Sequence, residues 1–190
     1  MLLEQWGSWR HGSGLQLLHF LARATSRGQL QSFGGLEAMG GAECMVTLLL
    51  KNGCQLDAVG ANYSGESACG ATALHLLAKL HSRKLSREAV DDILALADAL
   101  LKNGSRVDPQ LPDSGRTPLT IAASYGQEEL VRLLVRYGAR PLAPDGDETT
   151  PIEYCRFFGE DRMARVLAEL GSERGARGAR RKGRRKDRRR

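Results

Sequence analysis

Gly115-Arg116-Thr117-Pro118-Leu119-Thr120-Ile121-Ala122-Ala123 is the stretch on which the reading of this chain turns. It runs on through Tyr125-Gly126 into Leu130-Val131-Arg132-Leu133-Leu134 and closes at Tyr137-Gly138-Ala139. Related pieces recur along the chain. Upstream, Gly70-Ala71-Thr72-Ala73-Leu74-His75 ends in Leu100-Leu101-Lys102-Asn103-Gly104, and Gly14-Leu15-Gln16-Leu17-Leu18-His19 ends in Leu49-Leu50-Lys51-Asn52-Gly53. Downstream, Thr150-Pro151-Ile152-Glu153-Tyr154-Cys155 ends in Leu170-Gly171.

Counted back from the closing glycines, the second halves share one apolar pattern. Met45/Val46/Leu48/Leu49 matches Leu96/Ala97/Ala99/Leu100, then Leu130/Val131/Leu133/Leu134, then Met163/Ala164/Val166/Leu167. The offsets i, i+1, i+3, i+4 make a single stripe on a helix. One stripe is too small to form a core, so stacked neighbours must share one. Gly53, Gly104, Gly138 and Gly171 are expected to end their helices in the left-handed backbone that glycine adopts cheaply. Lys51, Lys102 and Arg136 fall in the last turns, where a cation suits the helix dipole. The stretch Pro141 to Asp147 reads as a turn.

These residues resemble the ankyrin repeat, which opens G-x-T-P-L-H-x-A-A and closes V-x-x-L-L-x-x-G-A. The unit from Gly115 to Ala139 is a near-complete match, and Leu119 to Ile152 spans the family's period of 33 residues. The fourth unit keeps Thr150-Pro151 with Glu153 in the His position; the second keeps Thr72, Leu74 and His75; the first keeps Gly14, Leu18 and His19. The resemblance implies an all-α fold, an ankyrin-repeat solenoid of about four helix-turn-helix repeats at roughly 14–58, 70–108, 115–147 and 148–171. It also implies that His19 and His75 bond neighbouring turns rather than act as ligands or bases.

Leu119 to Gly138 and Ile152 to Gly171 are each 19 residues apart, but Leu74 to Gly104 is 30 and Leu18 to Gly53 is 35. The first two units therefore carry insertions between their helices, which surface loops tolerate at small entropic cost. Ser86 is an N-cap candidate for a helix from Arg87 to Lys102. The Gly-rich 24–42 reads as mobile, and 1–13, with Trp6 and Trp9, as either a degenerate cap or disordered.

Charge divides the chain. Residues 172–190 hold eleven of the 28 Lys and Arg and two of the 22 Asp and Glu, so a mildly acidic body carries a strongly basic end. That end, with no apolar periodicity, is expected to be a disordered tail. Arg180, Arg181, Lys182, Arg184, Arg185, Lys186, Arg188, Arg189 and Arg190 form a run that fits either nuclear import through an import receptor or non-specific RNA or DNA contact at phosphates. A solvated end without a dedicated partner is the third reading. The run lacks interleaved aromatics, which speaks against base readout.

The search for chemistry yields no catalytic residue, no cofactor and no metal ligand set. Cys44, Cys54, Cys69 and Cys155 have no C-x-x-C spacing and are expected to be reduced thiols. No nucleophile elbow, phosphate loop or H-E-x-x-H helix occurs. The N-terminus lacks the pattern of a secretory signal, and no run of 18 apolar residues suggests a membrane span. The expectation is a monomeric, nuclear or cytoplasmic scaffold that is not an enzyme and binds a protein partner. Its candidate contact residues, taken from turn tips and first-helix ends as the resemblance implies, are Asn62, Tyr63, Glu66, Gln110, Asp113, Ser124, Tyr125, Asp145, Asp147, Glu148, Arg156 and Phe158. The alternatives are a nucleic-acid-associated protein whose tail contacts phosphates and, more weakly, a substrate adaptor of a ubiquitin ligase.

Overall fold

The computed structural model describes residues 40–51, 55–57, 59, 70–79 and 86–173. The segment 1–13, the first half of the first unit with His19, the turn residues Asn62, Tyr63 and Glu66, and the tail from 174 onward lie outside the described residues. Among the described residues there are helices and no strand. The helices are α1 (Gly41–Lys51), α2 (Ala73–Ala78), α3 (Arg87–Lys102), α4 (Pro118–Ser124), α5 (Glu128–Arg136), α6 (Pro151–Phe157) and α7 (161–173).

Helices α3, α4 and α6 begin where the sequence supplies a side-chain cap. Ser86 precedes α3 and its hydroxyl accepts from the Ala89 N–H at 3.3 Å, so this helix starts and stops where the pattern placed it. The short helices α4 and α6 open on Thr-Pro, and α2 on Thr72-Ala73. The hydroxyl of Thr117 accepts from Thr120 N, that of Thr150 accepts from Glu153 N, and Pro118 and Pro151 occupy the first turn, where no N–H is needed. At the far end of α5, Gly138 takes φ +115° and the Ala139 N–H reaches back to the Leu134 carbonyl at 3.0 Å. Gly104 closes α3 in the same way, with Ser105 N bonded to Leu100 O.

The helices form two rows. The short helices α2, α4 and α6 lie side by side in one, and α1, α3 and α5 in the other; α2 pairs with α3 and α4 with α5 across the rows. Helix α7 continues the second row, with Arg162 3.1 Å from Glu128 at the start of α5. Because α4 is covered by α2, α5 and α6, all seven of its residues are buried. One apolar cluster runs from Ala42 to Leu167. Its fully buried members, among them Val46, Leu74, Leu96, Leu119, Leu134 and Leu167, come from every unit. Each such side chain contributes about 1.5–3 kcal/mol by leaving water, but only while a neighbouring unit covers it. Leu48, expected in the stripe of α1, is instead 46% exposed; among the described residues no helix lies on its outer side.

Repeated polar bonds fix the spacing of the stack. Asp57 accepts from Arg106 N at 3.0 Å, and Asp108 accepts from Arg140 N at 3.3 Å. In sequence, Asp57 and Asp108 each stand four residues after a closing glycine, and Arg106 and Arg140 two residues after the next one. The third unit has Leu142 in place of this Asp. That exchange explains a correction to the sequence reading. Gly171 does not end its helix in a left-handed turn; the helix runs on to 173. With no carboxylate to capture a turn after it, Gly171 serves close packing, since a Cβ there would stand 2.5 Å from Leu142 Cδ1.

Candidate interaction surface

The exposed features of the stack lie at two edges, the turn tips and the ends of the short helices. The tips between the second and fourth units are tightly stacked. Gly146 N donates to Ser114 O at 3.2 Å, and a Cβ on Gly115 would overlap the Gly146 backbone nitrogen. The turn around Gly115 is closed by Gly115 N to Leu111 O at 2.8 Å and Leu111 N to Arg116 O at 3.0 Å. This holds Gln110 and Asp113 outward, both exposed.

In the next tip, Asp145 is an organiser rather than a surface group. It is 8% exposed, and its Oδ1 accepts from the N–H groups of Asp147 and Thr149, each at 3.0 Å. The expected contact role is therefore corrected for Asp145: the turn closes over its carboxylate. Its neighbours Asp147 and Glu148 are exposed, and Glu148 sits at φ +59°. Ser124 is corrected in the same sense. It is 4% exposed, donates to Thr120 O at 2.8 Å and accepts from Arg116 NH2 at 3.1 Å. The guanidinium of Arg116 lies 4.4 Å from the centre of the Tyr154 ring. Burial first, and then the neighbouring Asp145 carboxylate, raise the Tyr154 phenol above its ordinary value.

His75 shows how the turns are joined. Its Nδ1 accepts from the Thr72 N–H at 3.1 Å and lies 2.9 Å from Thr72 Oγ1. Its Nε2 therefore carries the proton and donates to Arg116 O at 3.3 Å. The ring is 2% exposed, and desolvation lowers its pKa to about 4. Both nitrogens are engaged in structure, as the resemblance implied. In the third and fourth units the equivalent position is filled by different chemistry: Thr120 beside Thr117, and Glu153, whose carboxylate accepts from Thr150 N at 2.7 Å. That bond, and the Thr150 hydroxyl, hold the Glu153 carboxyl below its usual range.

Buried Cys155 donates to Ala123 O at 3.6 Å, and desolvation pushes its thiol up to about 11, far from a thiolate nucleophile at neutral pH. Among the described residues no group of three or more His, Cys, Asp or Glu could hold a metal ion. No helix among them is long and apolar enough to cross a membrane.

Two of the large apolar side chains that the described residues expose, Phe157 and Phe158, lie at the end of α6. Tyr125 and Phe158 cap α4 and α6 at equivalent positions. Tyr125 is half-buried, Phe158 is 53% exposed, and Arg156 is exposed. Sequence reasoning missed Phe157, which is 83% exposed and meets Phe158 edge to face at 5.2 Å. Phe157 stands at the position of Ser124, which is buried one unit earlier. The signal available was the Phe-Phe pair itself, since adjacent residues at a helix end cannot both face one core.

Stacked pairs of a short and a longer helix, the last two units 33 residues apart, define a repeat solenoid. Residues 87–177 match the family model of ankyrin repeats in three copies, and this span is built of ankyrin repeats. It is 38% identical over 104 residues to the human ARF GTPase-activating protein GIT1, a match covering 55% of this chain and 13% of that protein. Human ARF GTPase-activating protein GIT2 is 36% identical over 74 residues, covering 39% of this chain and 10% of that protein. XBAT34 of Arabidopsis thaliana, whose name provisionally assigns it to the E3 ubiquitin-protein ligases, is 37% identical over 78 residues, 40% of this chain and 21% of that protein. The chain thus spans a small part of the length of these relatives. The repeat domain itself is a non-catalytic interaction fold.

Proposed function

We propose that this chain is a non-catalytic scaffold or adaptor that binds a protein partner across the turn tips and short-helix ends of its ankyrin stack. Gln110, Asp113, Asp147 and Glu148 form the polar edge, and Tyr125, Arg156, Phe157 and Phe158 the apolar edge. Asn62, Tyr63 and Glu66, outside the described residues, are further candidates from the sequence. The observation that carries this reading is the exposed Phe157–Phe158 pair, since large aromatic side chains left in water are characteristic of interface centres. The run from Arg180 to Arg190 serves an import receptor, which makes the protein nuclear as well as cytoplasmic. The stack acts as a monomer and as no enzyme itself, although the relatives' names refer to enzymes.

The test is affinity capture with the whole chain and with Phe157→Ser/Phe158→Ser. A partner retained by the first and lost by the second, with matching thermal melts, supports the reading. Equal capture by both sinks it. A second reading is favoured by the similarity to XBAT34: the same surface presents a substrate to a ubiquitin ligase. In that case the captured partner is ubiquitinated when ligase components are supplied. The nucleic-acid reading rests on the composition of the tail, and it predicts RNA or DNA retention that weakens steeply with salt.

A further inference from the structure

The aromatic face of α6 ends against a cation. Tyr154, Phe157 and Phe158 stand at i, i+3 and i+4, so they share one side of the helix and its cap. Arg116, which precedes α4, reaches across to this side, and its guanidinium carbon lies 4.4 Å from the centre of the Tyr154 ring. Its Nη2 donates to Ser124 Oγ at 3.1 Å, and Ser124 holds the place in α4 that Phe157 holds in α6. The guanidinium therefore runs between the two short helices, beside the exposed rings.

The charge of Arg116 is left unanswered. Its Nε has no hydrogen-bond partner, and no ion pair to Arg116 occurs among the described residues. The carboxylates of the neighbouring unit are turned elsewhere. Asp145 Oδ1 accepts from Asp147 N and Thr149 N, and Glu153 accepts from the N–H and hydroxyl of Thr150. Arg156, next in sequence to Phe157, is exposed and likewise forms no ion pair among the described residues. A donor without an acceptor is costly, and the planar fork of a guanidinium matches a carboxylate. Exposed rings beside it offer apolar contact to whatever carries that carboxylate. A polyphosphate chain suits the place less well. The turn that leads into α6 exposes Asp147 and Glu148, which repel a row of phosphates more than they repel one carboxylate seated on Arg116.

We propose that Arg116 and the aromatic face of α6 bind an acidic segment of a protein partner, with one carboxylate on the guanidinium and one apolar side chain on Phe157 and Phe158. This rests on the reading of the stack as a protein-binding scaffold and adds the chemistry of the bound segment. Packed helices lie about 8–10 Å apart and an extended chain advances about 3.3 Å per residue, so carboxylate and apolar side chain stand roughly two to four residues apart.

A phage-displayed library of random dodecapeptides is selected on the full chain, on Arg116→Gln and on Phe157→Ser, and the recovered sequences are counted. The basic segment 174–190 is common to all three proteins, so whatever it captures cancels in the ratios. Peptides depleted severalfold on Arg116→Gln should carry Asp or Glu at that spacing from a large apolar residue, and should be lost on Phe157→Ser as well. Arg116→Lys, which keeps the charge, should recover part of the enrichment. Phe157 is 83% exposed and can be changed without disturbing the core. If Arg116→Gln melts early, the peptides lost on Phe157→Ser decide alone, and they must carry the carboxylate. The proposal is overturned if no peptide separates the natural chain from the two variants, or if those that do lack an acidic residue. A labelled oligo(dT) whose affinity falls on Arg116→Gln overturns it in favour of nucleic acid. Peptides that need Phe157 but ignore Arg116 overturn it while leaving the scaffold reading intact; that reading fails only if a partner is captured equally by Phe157→Ser/Phe158→Ser.

Discussion

The imidazole Nε2 of His75 lies 3.3 Å from the carbonyl oxygen of Arg116, 41 residues further along the chain. The ring must be neutral, because its other nitrogen, Nδ1, accepts from Thr72 N. Protonation would set two donors against each other and place a charge inside the stack.

This makes stability depend on pH. The folded pKa of about 4 lies below the ordinary 6.5, so the unfolded chain takes up the proton first. Stability from this group is fully present above pH 6.5 and falls as pH drops towards 4, by about 3 kcal/mol in all. Asp98 and Glu153, both lowered, lose stability only at lower pH, through the carboxylate range. Urea melts at pH 7 and pH 5 should therefore differ far more for the natural chain than for His75→Gln. Parallel pH dependence in the two would exclude His75 as its source.

Gly115 and Gly104 separate two reasons for glycine. Both have positive φ, but a Cβ at Gly104 meets open space while one at Gly115 overlaps the Gly146 backbone. Gly104→Ala should cost about 1 kcal/mol from conformation alone. Gly115→Ala should cost about 2–4 kcal/mol, because two turn tips must also part. Thermal melts compare them directly, and similar losses would mean that the tips are not held together.

Gln127 joins non-adjacent stretches of the chain. Its buried Nε2 donates to Leu77 O and Ala78 O, each at 3.1 Å, at the end of α2. These are carbonyls that a helix end cannot satisfy itself. Gln127→Leu should lower stability by about 1–3 kcal/mol. Gln127→Glu should lower it more at neutral pH, since a carboxylate then faces two carbonyls. Chemical denaturation checks the order of the two variants.

The basic end is expected to govern location. A fluorescent fusion of the full chain should accumulate in the nucleus, and one of residues 1–173 should not. Unchanged accumulation would remove the import role from Arg180–Arg190.

The parts of the fold legible beforehand were those set by local chemistry. Ser86, the apolar spacing of α3 and the Thr-Pro starts act within one turn of helix, and His75 was readable because its motif is specific. Burial set by the following unit was not legible. Ser124 looked like a helix-end surface group, yet Arg116 and α6 cover it; Asp145 looked like a turn tip, yet the turn folds over it. Gly171 misled because the residue that decides its role, Leu142, is in the preceding unit. Phe157 was passed over because its equivalent Ser124 gave no hint of an aromatic.

Helix α4 has no residue left to show to a visitor. The third unit thus speaks to its surroundings only through its rims, and a ligand lying along the stack would touch it as a plank touches trestles. Retargeting the molecule by directed evolution could then leave Pro118–Ser124 untouched and confine the library to the rims, where altered side chains do not disturb the beam that carries them.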